Sequence, residues 1–212
     1  MISLYINNYI IIIMSDYFRI PENISSFEQI NIPKNITHLD CSYRQFTSFI
    51  GCPNNITHLI CSKNQITSFE HLPNSIIELD CSLNEITSFK YLPNSIIKLD
   101  CSYNQITSFE HLPNSIIELD CPENQITSFK HLPNSIIKLN CSCNRLTSFE
   151  HLINSVIELY CSGNYITNFD YLPSSIKILI CYYNPCYHIY NELGLDKIHE
   201  YNIPDIKEPE YD

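Results

Sequence analysis

Thiols are the most numerous chemistry-bearing groups in this 212-residue chain. Eight of its eleven cysteines fall at twenty-residue intervals: Cys41, Cys61, Cys81, Cys101, Cys121, Cys141, Cys161 and Cys181. Thiolates bind soft metals, and thiols pair into disulfides. The remaining Cys52, Cys143 and Cys186 leave an odd total and no C-x-x-C pair, which reads as a reduced intracellular chain and not as a disulfide framework. One thiol per interval, each pointing the same way, does not surround an ion tetrahedrally. The series is therefore expected to be a packed column in which each thiol serves as a small apolar side chain, with no metal and no cofactor.

Imidazoles and carboxylates recur on the same interval. His71, His111, His131 and His151 share a register with Tyr91 and Tyr171, a stripe that could bind metal or respond to pH. With their ligands drawn from a single column and no adjoining inward-directed carboxylate, they are read as edge residues beside a turn. Asp80, Asp100 and Asp120 follow one another in a register that also holds Asp40 and Asn140. Two further series alternate in sign, Glu78, Lys98, Glu118, Lys138 and Glu158, and Glu70, Lys90, Glu110, Lys130 and Glu150. Alternation is expected to penalise misaligned units, whereas three like charges in a row ask for a reason beyond stability. Catalytic motifs are absent: there is no Gly-rich phosphate loop, no H-E-x-x-H and no nucleophile elbow, so the chain is not expected to be an enzyme.

All these series belong to one twenty-residue element, typified by IIKLDCSYNQITSFEHLPNS at residues 96–115 and repeated from about residue 36 to residue 184. Leu99 and Cys101, two apart, point to one face of a short strand, while Lys98, Asp100 and Ser102 point to the other. Ile106, Phe109 and Leu112 then recur every third residue through a return that turns at Leu-Pro-Asn-Ser. Burying six side chains does not meet the cost of ordering twenty residues, so a lone unit is not expected to fold. Stacked units complete the burial and turn each position into a column, with rungs about 4.8 Å apart. Cys81, Cys101 and Cys121, Asn84, Asn104 and Asn124, and Phe89, Phe109 and Phe129 are the expected structural ladders, the amide satisfying backbone groups in the turn.

The form L-x-x-L-x-C-x-x-N-x-I-x-x-F-x-x-L-P resembles the leucine-rich repeat over about three quarters of the chain. Its shortness and its Leu-Pro turn are similar to the bacterial effector subtype, and the Ile- and Asn-rich regularity resembles repeats encoded by giant DNA viruses of the mimivirus type. The resemblance implies a horseshoe solenoid, with short parallel β-strands on the concave face, extended or turn segments on the convex face and a short helical C-terminal cap. It also implies that the concave face binds proteins, and that the Asn ladder ties adjacent units together. Glu78, Asp80, Lys98, Asp100, Tyr103, Glu118, Asp120, Glu123, Lys138, Asn140 and Tyr160 are the residues expected on that face. A basic protein surface is the expected partner; a solvated face with copied residues and no ligand, in a structural or decoy protein associated with a virion, is the other reading. The Ile77, Ile97, Ile117, Ile137 and Ile157 series reads as a half-buried flank or, if exposed, a second interface.

The formal charge of −11 and pI near 5.1 argue against nucleic acid, which needs a basic stripe. Residues 1–15 form an apolar tail that lacks the basic start of a secretory signal and is too short to span a bilayer. An added strand, a membrane-interface segment and an untranslated prelude to Met14 are its three readings; the last, or a disordered tail, is preferred. Residues 16–35 are read as a degenerate N-terminal cap repeat, 36–185 as tandem repeats, 186–203 as the C-terminal cap and 204–212 as an acidic tail. A monomer in a reducing compartment, the host cytoplasm if viral, completes the expectation.

Overall fold

The computed structural model describes residues 16–187 together with the backbone of residues 2–6 and 9–13. β1 (Ile2–Ile6) and β2 (Tyr9–Ile13) pair antiparallel in a sheet of their own; an untranslated prelude to Met14 or a disordered tail was the preferred expectation for this segment. Nine three-residue strands follow: β3 (Tyr17–Arg19), β4 (His38–Asp40), β5 (His58–Ile60), β6 (Glu78–Asp80), β7 (Lys98–Asp100), β8 (Glu118–Asp120), β9 (Lys138–Asn140), β10 (Glu158–Tyr160) and β11 (Ile178–Ile180). They form one parallel sheet in chain order, and each turn of the solenoid contributes one strand.

Register is uniform from β4 onward, with Leu79 beside Leu99 and Leu99 beside Leu119. Bonds run both ways along the stack: the Cys101 amide donates to the Asp120 carbonyl at 2.8 Å, and the Gln105 amide to the Ile86 carbonyl at 2.8 Å. Every cysteine from Cys41 to Cys181 in the twenty-residue series is fully buried, as are Phe49 to Phe149 at the Phe position. The Phe109, Phe129 and Phe149 rings stack at 6.5 Å between centroids, wider than the roughly 4.8 Å between strands. Units that stand closer at the strands than at the aromatic spine must fan apart, which curves the solenoid with the sheet on its inner side.

The Asn ladder holds this stack together at each rung. Asn104 donates from Nδ2 to the Cys81 carbonyl of the preceding unit at 3.1 Å and to its own Cys101 carbonyl at 3.0 Å. Its Oδ1 accepts from the Ile86 amide at 2.9 Å. Two backbone donors or acceptors of one unit are thereby satisfied by a side chain of the next, inside a turn that water does not reach.

The segment read as a degenerate cap contains a further strand. Phe18 in β3 and Ile20 just after it stand where later units have Leu and Cys, and both are buried. Tyr17 pairs with His38, a spacing of twenty-one and not twenty, and the extra residue hides the match. A 3₁₀ turn (Phe27–Gln29) follows, with Gln29 Oε1 accepting from the Ser25 and Ser26 amides at 2.9 and 3.2 Å. At the other end residues 185–187 begin a helical turn; the rest of the C-terminal cap and the acidic tail lie outside the described residues.

Candidate functional site

The outward side chains of β4 to β8 line a groove of about 320 Å³ on the concave face. One column brings His38, His58, Glu78, Lys98 and Glu118 to it, and the other brings Ile60, Asp80, Asp100 and Asp120. Of the residues expected on this face, Glu78, Asp80, Lys98, Asp100, Glu118 and Asp120 meet in the groove. Lys138, Asn140 and Tyr160 lie further along the same sheet on β9 and β10, with the Lys138 ammonium 5.8 Å from the centre of the Tyr160 ring. Tyr103 and Glu123 are not on the strands. They occupy the turn that follows, with φ of 54° at both, a left-handed conformation at the rim of the face.

Three groove residues escaped the sequence reading: His38, His58 and Ile60. The two imidazoles stack at 4.0 Å between centroids, and His58 Nε2 stands 3.7 Å from Glu78 Oε1. Ile60 takes the place of an aspartate in its column and is 39% exposed, an apolar contact in an otherwise acidic surface. Their columns are those of Glu78 and Asp80, so extending each column back by one or two units would have found them.

The aspartates have a structural duty as well. Asp80 Oδ1 accepts from the Ser82 amide at 3.0 Å and the Ser82 hydroxyl at 2.7 Å, closing the turn at the end of β6. Asp40 and Asp100 bond Ser42 and Ser102 in the same way, and Asn140 bonds Ser142. The row of like charges thus has a local reason that the sequence reading did not assign. Asp120 differs because Pro122 replaces the serine and offers neither amide nor hydroxyl hydrogen.

Charge in the groove is strained. Burial, then the Asp100 and Asp40 carboxylates, push Asp80 up from the ordinary aspartate range against its two Ser82 bonds. Burial, then the Asp100 carboxylate, push Asp120 up as well. Lys98 is the cation of the groove, and its ammonium is 3.4 Å from Glu118. With Asp100 between them, the raised Asp80 and Asp120 form a row poised to accept a cation, since a positive group arriving among the three carboxylates relieves their repulsion.

The two alternating ladders behave differently. In the strand column, Lys98 and Glu118 form an ion pair between adjacent units. In the convex column the glutamates turn sideways within their own turns: Glu70, Glu110 and Glu150 stand 3.8, 3.7 and 3.6 Å from the His71, His111 and His151 rings. Lys90 lies over the Tyr91 ring at 4.7 Å. Among the described residues this second column shows no ion pair between units, so its expected part in register is not visible. The histidines themselves adopt left-handed φ of 67–69° beside the Leu-Pro turn.

The buried thiols of the twenty-residue series are pushed toward the protonated form. Burial, then neighbouring carboxylates, push Cys101 well above its ordinary range, and burial followed by neighbouring thiols does the same for Cys121. Cys81 and Cys121 donate weakly to the Asp100 and Asn140 carbonyls at 3.3 Å. No group of three or more His, Cys, Asp or Glu among the described residues is arranged to hold a metal ion. Among them, too, no helix is long and apolar enough to cross a membrane.

No protein-family model matches the chain, and no curated protein matches it significantly. Solved structures do. The leucine-rich-repeat domain of a Shigella effector is similar at 25% identity and a TM-score of 0.60, covering 91% of this chain and 78% of that one. YopM from Yersinia enterocolitica is similar at 24% identity and a TM-score of 0.51, covering 73% of this chain and 44% of its own. A domain of InlJ from Listeria monocytogenes, described as including a cysteine ladder, is similar at 17% identity and a TM-score of 0.52, over 75% of this chain and 41% of that one. The chain thus spans less than half the length of two of these three. With nine parallel strands at one per turn, an Asn ladder and almost no helix among the described residues, it has the leucine-rich-repeat solenoid fold.

Proposed function

We propose that the protein is a non-catalytic interaction module whose concave groove takes an extended basic segment of a partner protein. The observation that carries this reading is the row of Asp80, Asp100 and Asp120 on adjacent rungs of the groove, flanked by Glu78, Glu118 and the exposed Ile60; Asp80 and Asp120 are raised in pKa. A lysine or arginine entering the groove meets several carboxylates at once, and a neighbouring aliphatic side chain has Ile60 to cover. The fold it shares with effector repeat domains supports an interaction scaffold. Ile- and Asn-rich repeats favour a giant DNA virus as its source; with eleven reduced cysteines, the host cytoplasm is then the fitting compartment.

Fluorescence anisotropy with labelled Lys/Arg-rich and Glu-rich peptides of equal length tests the reading. The basic peptide is expected to bind, and to weaken steeply as salt rises, while the acidic one does not. Equal binding of both, or of neither, rejects it. The second reading, a structural or decoy repeat without a ligand, is favoured by one observation: Asp80 and Asp100 are already engaged by Ser82 and Ser102, so these carboxylates have a use in the fold without any partner.

A further inference from the structure

The isoleucine series at the entry to the strands is exposed where the sequence left two readings open. Ile77, Ile97, Ile117 and Ile137 are 36, 38, 38 and 43% exposed and form an apolar stripe along the rim of the sheet. Directly beside it in the chain runs the ladder Glu78, Lys98, Glu118, Lys138 and Glu158. With rungs about 4.8 Å apart, the stripe is about 14 Å long.

We propose that this rim binds a second copy of the chain, antiparallel, about a two-fold axis between Ile97 and Ile117. The alternation of charge selects that arrangement. Set parallel and in register, two such ladders would place Glu against Glu and Lys against Lys. Turned antiparallel about the midpoint of Lys98 and Glu118, each copy's Lys98 faces the other's Glu118, and Glu78 faces Lys138. The next rung out sets His58 against Glu158. The same axis pairs Ile97 with Ile117 and Ile77 with Ile137, so the centre of the four exposed isoleucines coincides with the centre of the charge pattern. Neither neighbouring centre does as well: moving the axis one unit toward β5 sets His38 against Lys138, and one unit toward β10 sets Glu78 against Ile178. Over its four central rungs the ladder presents two charges of each sign, and a second copy turned antiparallel meets its own complement at every one of them. The short stripe implies a weak, reversible dimer with a Kd of about 10 μM or weaker.

Sedimentation velocity of the full chain, from about 10 μM to 1 mM, tests this. The unsubstituted protein is expected to show a sedimentation coefficient that rises with concentration. K98E/K138E is expected to remain monomeric across the range, as is I97N/I117N. E78K/K98E/E118K/K138E, which inverts the ladder but keeps its alternation, should associate like the parent. An equimolar mixture of K98E/K138E and E78K/E118K should form heterodimers although neither associates alone. All variants leave Asp80, Asp100 and Asp120 in place, and circular dichroism reports whether each is folded; if the isoleucine variant is not, the charge variants still decide. A parent chain that is monomeric at every concentration overturns the proposal. So does a K98E/K138E variant that associates like the parent, or that loses thermal stability without any change in association, which would assign the ladder to register within one chain.

Discussion

Asp40 and Asp80 occupy equivalent places, each the last residue of its strand and each bonded to the serine two residues on, yet their surroundings push them in opposite directions. Asp40 sits next to β3, where the Tyr17 hydroxyl is 3.1 Å and Arg19 Nε 3.5 Å from its Oδ2. Burial alone would raise Asp40, but the Ser42, Tyr17 and Arg19 contacts outweigh it and hold the carboxyl below the ordinary range. Asp80 has Asp100 on one side and Ile60 on the other, and is raised. One motif thus serves two ends. At the N-terminal unit it is neutralised and fixes the end of the stack; in the middle it leaves unspent negative charge on the concave face.

The same contrast holds for the turn amide. Where regular units have Asn, the first has Arg44, which is buried and donates from Nε to the Ile20 carbonyl at 2.8 Å. Ile20 is the counterpart of Cys81, whose carbonyl Asn104 bonds, so the guanidinium performs half of the asparagine's task. It has no acceptor to offer the preceding unit, and the Ile24 amide bonds the Pro21 carbonyl instead. Interior units are therefore tied by side-chain bonds in both directions, and the end unit in one.

Six substitutions would break or sharpen that contrast. Asn104→Ala should cost about 3 kcal/mol in urea unfolding, because it orphans buried groups of two units at once. Arg44→Ala should cost about half as much, roughly 1.5 kcal/mol, since the end unit has fewer such ties; an equal cost would erase the distinction. Asp40→Asn and Asp80→Asn should move stability in opposite directions at pH 7, each by about 1 kcal/mol or less. The lowered Asp40 gives stability that is present above its unfolded pKa and is lost as pH falls through its folded one. For raised Asp80 and Asp120 the native state holds the proton more tightly, so their contribution improves as pH falls into the window between the unfolded and raised values. Thermal melts from pH 7 to 3 on the two single variants check both signs. Smallest is the turn after the strand: Tyr103→Gly should gain roughly 0.5 kcal/mol by relieving a left-handed φ of 54°. Gly163 already fills the equivalent place, and Gly163→Ala should lower the melting temperature, since its Cβ would stand 3.1 Å from Cys143 Sγ.

Much of this was legible before any coordinates. Leu99 and Cys101, two apart and repeated every twenty residues, specify an inward-facing strand, and identical spacing specifies that units align. The Asn and Phe columns follow from the same count. What stayed hidden depended on breaks in the count or on conformations that composition does not reveal. Tyr17-Phe18-Arg19 is a strand disguised by one inserted residue and by larger side chains, Phe18 and Ile20, in the Leu and Cys places. Tyr103 and Glu123 carry a left-handed backbone with no glycine to announce it, so they were assigned to the face when they form its rim. The Asp-x-Ser recurrence was present in the sequence and, taken as a turn closure, would have supplied the aspartates' structural role.

The central claim is that the concave aspartates are spare charge and not merely structural, and D80N/D100N/D120N tests it because asparagine keeps the turn closure, as Asn140 with Ser142 shows. Measured side by side at pH 7, its melting temperature is predicted to hold or rise while affinity for a Lys/Arg-rich peptide falls at least about tenfold, or 1.4 kcal/mol. Undiminished affinity, or affinity and stability lost together, would contradict it.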